Sequence, residues 1–387
     1  MSRLRYLMGL FGLVLLLAVQ ACGADAESPS SAFKHAHVLA SSTPSMQGMT
    51  IKDFRQAYNV PLTPQGYPVT KTFLVVAYHY ANAPSDYEQF CSKFALACSP
   101  LTIVNLAGNA NNKNWAIEEM ADIEMVRIAN DNTQITVIEA ASDSRADMMA
   151  ALKYANSQAG DAVVSMSFGA DEYATESVSA GFFQSEGITW IAASGDSTVP
   201  SFPATHPDVV AVGGTSLTSL ASPRTEQTET AWSSGGCGFS ALEVAPSFQI
   251  AAGVNDTARR AVPDVAFEAD PAYGAQIYCS VVGGWLKVGG TSISAPFFAG
   301  IVSLANGARK LNAKPPLTSV AGRGAQLQPM LYELLSTNGG PERSTILHDI
   351  VSGRGCASNS PAARGYDVVT GLGSVDVKAL IAYLANK

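Results

Sequence analysis

The chain has 387 residues, 47% of them hydrophobic and only 14% charged, with a net charge of −8 and an isoelectric point of about 5.2. That is apolar enough for a large core and excludes an intrinsically disordered chain. No basic stripe with interleaved aromatics is present, so nucleic acid is not an expected partner. Few charges also mean little self-repulsion once carboxylates protonate, which permits stability in acid.

Arg3 and Arg5 precede an apolar run from Tyr6 to Val19, the pattern of an export signal over residues 1–21. Val19-Gln20-Ala21-Cys22 resembles a bacterial lipobox with an unusual glutamine, so a lipid on Cys22 would attach the protein to a membrane. An ordinary signal-peptidase cut is the alternative, and the expected location is therefore the cell envelope or the medium. Residues 22–48, rich in Ser, Ala, Pro and Gly, read as a tether. Export favours disulfides. Cys91 with Cys98 is expected by proximity and Cys237 with Cys279 as a second pair, leaving Cys356 free.

From residue 49 onward, apolar runs alternate with helical stretches. Strands are expected at 72–77, 134–138, 162–168, 189–193 and 209–212, and helices at 85–94, 115–130, 144–159 and 177–185. Continuous apolar strands separated by helices predict an α/β fold, a doubly wound and mostly parallel sheet with helices on both faces. Residues 49–387 read as one domain, with its site at the carboxyl ends of the strands.

Gly289-Gly290-Thr291-Ser292, followed by apolar Phe297 to Val302, reads as a serine at the mouth of a buried helix whose first N–H groups face the hydroxyl. Pro296 is tolerable there because it lies within about one turn of the helix start. The segment resembles the nucleophile region of the subtilisin clan. A serine nucleophile needs a base, an orienting group and oxyanion donors. The subtilisin histidine is missing, for there is no His-Gly-Thr segment, and the first strand ends Val75-Val76-Ala77-Tyr78 where a subtilisin has its aspartate.

Carboxylates offer a substitute. On a helical wheel at ~100° per residue, Glu118 and Asp122 share an apolar face with Trp115, Met125, Val126 and Ala129, while Glu124 and Arg127 fall on the expected outer face. Two acids one turn apart on a buried stripe raise at least one pKa, as a proton relay requires. Ser194-Gly195-Asp196 closes a buried strand at the turn where subtilisins place an asparagine that donates to the oxyanion. An aspartate can donate only when protonated.

These three segments, together with Val164 to Gly169, Phe202-Pro203-Ala204, Ala211 to Thr215, Val262 to Val265 and Thr370 to Gly373, resemble the sedolisin family of serine-carboxyl peptidases. The resemblance covers almost everything from residue 49 onward. It implies a subtilisin-like fold with Ser292 as nucleophile, Glu118 as general base and then acid, Asp122 as its orienting partner and Asp196 as oxyanion donor. Ser167, Phe168 and Gly169 would pair with an extended peptide substrate by strand addition. Carboxylates in place of histidine predict an acid optimum, roughly pH 3–5. The family's calcium site is matched by Asp349 and Ile350 and by Ala363, Gly365 and Asp367, with alanine standing where the family has glycine. A monomeric endopeptidase acting on peptides or proteins is the expectation. Family members usually carry a long prosegment, and only a short stretch precedes residue 49. That keeps open a catalytically silent cell-surface protein that binds through the same scaffold. A serine esterase is disfavoured because no Gly-x-Ser-x-Gly elbow is present.

Overall fold

Seven parallel strands form the centre of the molecule in the spatial order β12-β8-β7-β5-β2-β4-β3, and β9 is added antiparallel to β8. They are β2 (Thr70–Ala77), β3 (Thr102–Asn105), β4 (Thr133–Ala140), β5 (Ala162–Met166), β7 (Ile188–Ala193), β8 (Val210–Ser219), β9 (Thr228–Ala231) and β12 (Val265–Glu268). Outside this sheet lie β1 (Lys34–His35) on β6 (Phe168–Gly169), β10 (Gly238–Val244) on β11 (Arg259–Val262), and β13 (Ala275–Cys279) on β14 (Gly284–Val288). The computed structural model describes residues 32–35, 48–64, 66–158, 160–176, 181–220, 228–254, 258–319, 325–335 and 342–387. The export signal and Cys22 lie outside the described residues, as do 177–180 of the helix expected at 177–185. Of that helix a single short 3-10 turn, Gly181–Gln184, is described.

The inner strands are buried on both faces because helices cover both. Every residue of β5 and β7 is buried, the polar Ser165 and Thr189 included, which matches their mostly apolar composition. The helices used below are α1 (Ile51–Ala57), α2 (Ala83–Lys93), α3 (Lys113–Ala129), α4 (Arg145–Ser157), α5 (Thr291–Leu311) and α6 (Val377–Asn386). The winding reverses at β2, which lies between β4 and β5. Doubly wound sheets open their crevice at such a reversal, beyond the strand carboxyl ends. The subtilisin-like α/β reading therefore holds, in one compact unit from Ser31 to Lys387.

Several expectations need correction. The strand expected at 162–168 is broken at Ser167 into β5 and β6. The stretch read as a tether at 22–48 contains β1, and Phe33 within it is fully buried. Cys91 is bonded to Cys98 as expected, but Cys237 is bonded to Cys356, and among the described residues the free thiol is the buried Cys279. Cys279 sits under the first turn of α3, with its Sγ 3.7 Å from the Tyr80 hydroxyl and 3.8 Å from the Ala116 carbonyl, while the chain brings 356 back beside 237. Finally, α3 has no outer face: Trp115 to Ala129 are all buried, including Glu124 and Arg127. Tertiary packing supplies their partners. The Tyr278 N–H donates to Glu124 Oε2, and Arg127 donates to the Tyr87 hydroxyl and to the carbonyls of Asn130, Asp131 and Thr133.

Candidate active site

Ser292 is the second residue of α5 and is fully buried. Two glycines bring it there. Gly290 has φ 104°, a conformation that L side chains rarely adopt, and a Cβ on Gly289 would lie 2.5 Å from the Pro271 nitrogen. The Gly290 N–H is tied to the Ala269 carbonyl at 2.6 Å, which fixes the turn to the end of β12. Pro296 is the sixth helical residue and has no N–H to offer the Ser292 carbonyl four residues back. The Ser167 hydroxyl approaches that carbonyl instead, at 3.4 Å.

The carboxylates come from α3, which crosses α5 closely. At Gly300 a Cβ would stand 2.6 Å from Ala129 Cβ and 2.7 Å from the Val126 carbonyl oxygen, so the two helices meet backbone to backbone. Glu118 and Asp122 are both completely buried. Burial, and for Glu118 the neighbouring Asp122, pushes their pKa values well above the usual carboxylate range. The Ser292 hydroxyl works the other way on Glu118, lowering its pKa by stabilising the ionised form, although neither Glu118 oxygen reaches hydrogen-bond geometry. Contacts of this kind are often loose before a substrate is bound. Asp122 Oδ1 accepts a 2.6 Å hydrogen bond from Ser167 Oγ, and Oδ2 is buried without a partner among the described residues. Ser167, read from the sequence as a substrate contact, also holds one oxygen of the acid pair. Nothing in its sequence position announces this, because it depends on β5 ending beneath α3.

Asp196, just past β7, faces the first turn of α5. Its Oδ1 accepts from both the N–H and the hydroxyl of Thr291, each at 2.8 Å, while Oδ2 is buried and unpartnered among the described residues. Burial raises its pKa to about 6 in spite of the two Thr291 donors. The first N–H of the helix therefore serves Asp196, and the serine hydroxyl does not receive it. A protonated Oδ2 is a hydrogen-bond donor, so a serine hydroxyl, two buried acids and a carboxyl able to donate lie around one helix mouth.

Phe168 and Gly169 form β6, one residue beyond Ser167. Antiparallel β1 lies along it, with Lys34 opposite Gly169 and His35 opposite Phe168.

The expected metal site is remote from this centre. Asp349 accepts from the Gly365 N–H at 3.0 Å, and Asp367 accepts from the N–H groups of Ala363, Val369 and Thr370. Both carboxylates thus converge on the 363–367 loop. Among the described residues no backbone N–H donates to the carbonyls of Ile350, Ala363 or Gly365. Carboxylates and open carbonyls are oxygen donors of the type that a calcium ion takes.

No family model matches the chain. Rat tripeptidyl-peptidase 1 is 30% identical over 387 aligned residues, covering 88% of this chain and 65% of that protein. Kumamolisin from Bacillus sp. (strain MN-32) is 35% identical over 258 residues, 58% of this chain and 43% of the relative. Sedolisin from Pseudomonas sp. (strain 101) is 32% identical over 201 residues, 48% of this chain and 30% of the relative. Among solved structures, Pseudomonas sedolisin complexed with two molecules of pseudo-iodotyrostatin superposes with a TM-score of 0.72 at 23% identity. That match covers 89% of this chain and 99% of the other. The chain belongs to the sedolisin family. It spans just under two thirds of the length of the tripeptidyl-peptidase relatives.

Proposed function

We propose that this protein is an acid-acting serine-carboxyl peptidase. The observation that carries the reading is the convergence of Ser292, the buried Glu118–Asp122 pair and the half-buried Asp196 on one helix N-terminus. Ser292 Oγ attacks the peptide carbonyl carbon as its proton passes to ionised Glu118. Asp122, held by Ser167, shares the pair's proton, so the two acids carry one net negative charge before the transfer and none after it. The oxyanion accepts from protonated Asp196 Oδ2 and from the Ser292 N–H. Glu118 then protonates the leaving amine, and a water molecule hydrolyses the acyl-enzyme by the reverse proton path.

The β6 edge is the proposed rest for the substrate backbone, and internal cleavage is the reading we carry forward. The rat relative's name describes release of tripeptides, so a mass map of products distinguishes the two. Calcium is proposed at Asp349, Asp367 and the carbonyls of Ile350, Ala363 and Gly365. When bound it supplies a structural cross-link between the 349–350 and 363–367 segments. Two disulfides and the apolar N-terminal run support export, as a lipoprotein or a secreted enzyme. No helix among the described residues is long and apolar enough to cross a membrane.

A digest of casein and of short peptides at pH 4 tests the function. Wild type is expected to cut and Ser292→Ala to be inert. Absence of cleavage in both would favour a silent binding protein instead.

A further inference from the structure

The crevice that opens where the sheet reverses at β2 reaches beyond the reacting groups. His79 and Tyr80, just past the carboxyl end of β2, form one wall of an open cavity of about 390 Å³. The loop after β3 contributes Asn112, and the start of α3 contributes Lys113 and Ala116. Glu118 follows Ala116 by two residues on the same helix. At ~1.5 Å of rise per residue, Lys113 stands roughly 7–8 Å along α3 from Glu118, about the span of two extended peptide residues.

In a chain whose net charge is −8, this cavity is lined by donors and by no carboxylate among the described residues. His79 Nδ1 lies 2.9 and 2.8 Å from the two oxygens of Glu139, which is fully buried and also accepts from the Tyr80 N–H at 3.0 Å. The imidazole is thereby held in one orientation, with Nδ1 donating and Nε2 left for another partner. In acid an imidazole is protonated and donates from Nε2 as well. Asn112 Oδ1 accepts from the N–H groups of Asn114 and Trp115, so its amide hydrogens remain to be offered. Lys113 is exposed and makes no ion pair among the described residues. The acids behind the wall do not offset these donors. Asp86 is buried and accepts from the Tyr80 hydroxyl and the Ser280 N–H. Glu119 is pushed well above the usual carboxylate range by burial and by the charges of Glu139 and Asp122, so it is neutral in acid.

We propose that this cavity is a subsite for an acidic substrate residue, in which Lys113 and His79 Nε2 receive the carboxylate of an Asp or Glu about two residues from the cleaved bond. Asn112 adds a neutral donor. The inference rests on the peptidase reading for the distance to the cut, whereas the preference for a carboxylate follows from the cavity's own residues. Peptides acidic at that position are the favoured class, and a Lys or Arg there is repelled.

The test uses two matched series of peptides with a free amino terminus and an amidated carboxyl terminus, so that a side chain is the only carboxylate. One series carries Glu and the other Gln, moved in turn through each position around one cut site. At about pH 5 a glutamate is largely ionised. Wild type is then expected to favour Glu over Gln at one position by about fivefold or more in kcat/KM, the scale of a partly exposed charge-assisted hydrogen bond. Lys113→Glu should abolish or reverse that ratio. Lys113 is an exposed first residue of α3, where a glutamate suits the helix dipole, so this variant is expected to fold. His79→Gln, which keeps a donor, should lower the ratio partway, and thermal unfolding establishes that each variant is folded. Equal rates for Glu and Gln at every position, or a preference that Lys113→Glu leaves intact, overturns the proposal. Should wild type cleave none of the peptides, titration calorimetry with the same pairs decides. Tighter binding of a Glu peptide that Lys113→Glu removes would uphold the subsite and remove the peptidase reading alone; equal binding of every pair overturns the subsite.

Discussion

Both oxygens of Asp196 have defined surroundings: Thr291 donates twice to Oδ1, and Oδ2 is buried beside the mouth of the Ser292 helix without a partner among the described residues. An asparagine can keep the Thr291 bonds through its carbonyl and present its amide where Oδ2 stands. Unlike the acid, it donates at any pH. With the Asp196 pKa at about 6, wild-type activity should fall as pH rises through that value. Asp196→Asn is expected to retain activity at pH 7–8 relative to its own maximum, and Asp196→Ala to lose roughly 10²–10³ in kcat at every pH. Rate profiles of the three proteins read this directly; an Asn variant with the wild-type alkaline limb would assign that limb to another group. Ser292 and the three acids were legible as residue types at recognisable spacings. Ser167 as a holder of Asp122 was not, because that contact joins a strand end to a helix 45 residues earlier.

At the scale of elements, the active geometry depends on how closely α3 and α5 cross. Gly300→Ala places a methyl group 2.7 Å from the Val126 carbonyl, and backbone cannot move aside as a side chain would. The substitution should destabilise by about 1–3 kcal/mol and separate the acid pair from Ser292. Urea unfolding measures the first effect and kcat the second; unchanged values for both would show that the crossing has slack. Helical periodicity placed Glu118 and Asp122 correctly on a buried face. It failed for Glu124 and Arg127 because a wheel registers only the chain's own pattern, whereas α3 is enclosed by α2, β13 and α5. The parallel sheet was legible from the mostly apolar runs of β2, β5 and β7. The two-residue β1 was not, since its only signal is a lone phenylalanine. The second disulfide was missed because Cys237 and Cys356 are 119 residues apart in sequence.

Over the whole molecule, buried carboxyl groups recur well beyond the reacting pair. Desolvation pushes Glu119, Glu124 and Glu268 well above the usual range and Glu176 to about 8. A carboxyl whose folded pKa exceeds its unfolded value binds more protons when folded. Its stabilising contribution is complete below the unfolded value, about 4, and is lost as pH rises through the folded one. Thermal unfolding should therefore give the highest Tm in acid and a continuous fall from about pH 5 to 8. A Tm that rises over that interval would mean these acids have ionic partners in the folded state. If the proposed calcium site is filled, EDTA should lower Tm by several degrees and added calcium should restore it; Asp349→Asn should be insensitive to both. The absence of any EDTA effect would leave Asp349 and Asp367 as loop-capping residues. The central claim, that Ser292 works with carboxylates in place of histidine, is tested most directly by the pH dependence of kcat/KM for peptide cleavage. A maximum in acid with loss of activity above about pH 6 is expected, and cleavage at pH 8 equal to that at pH 4 would contradict it.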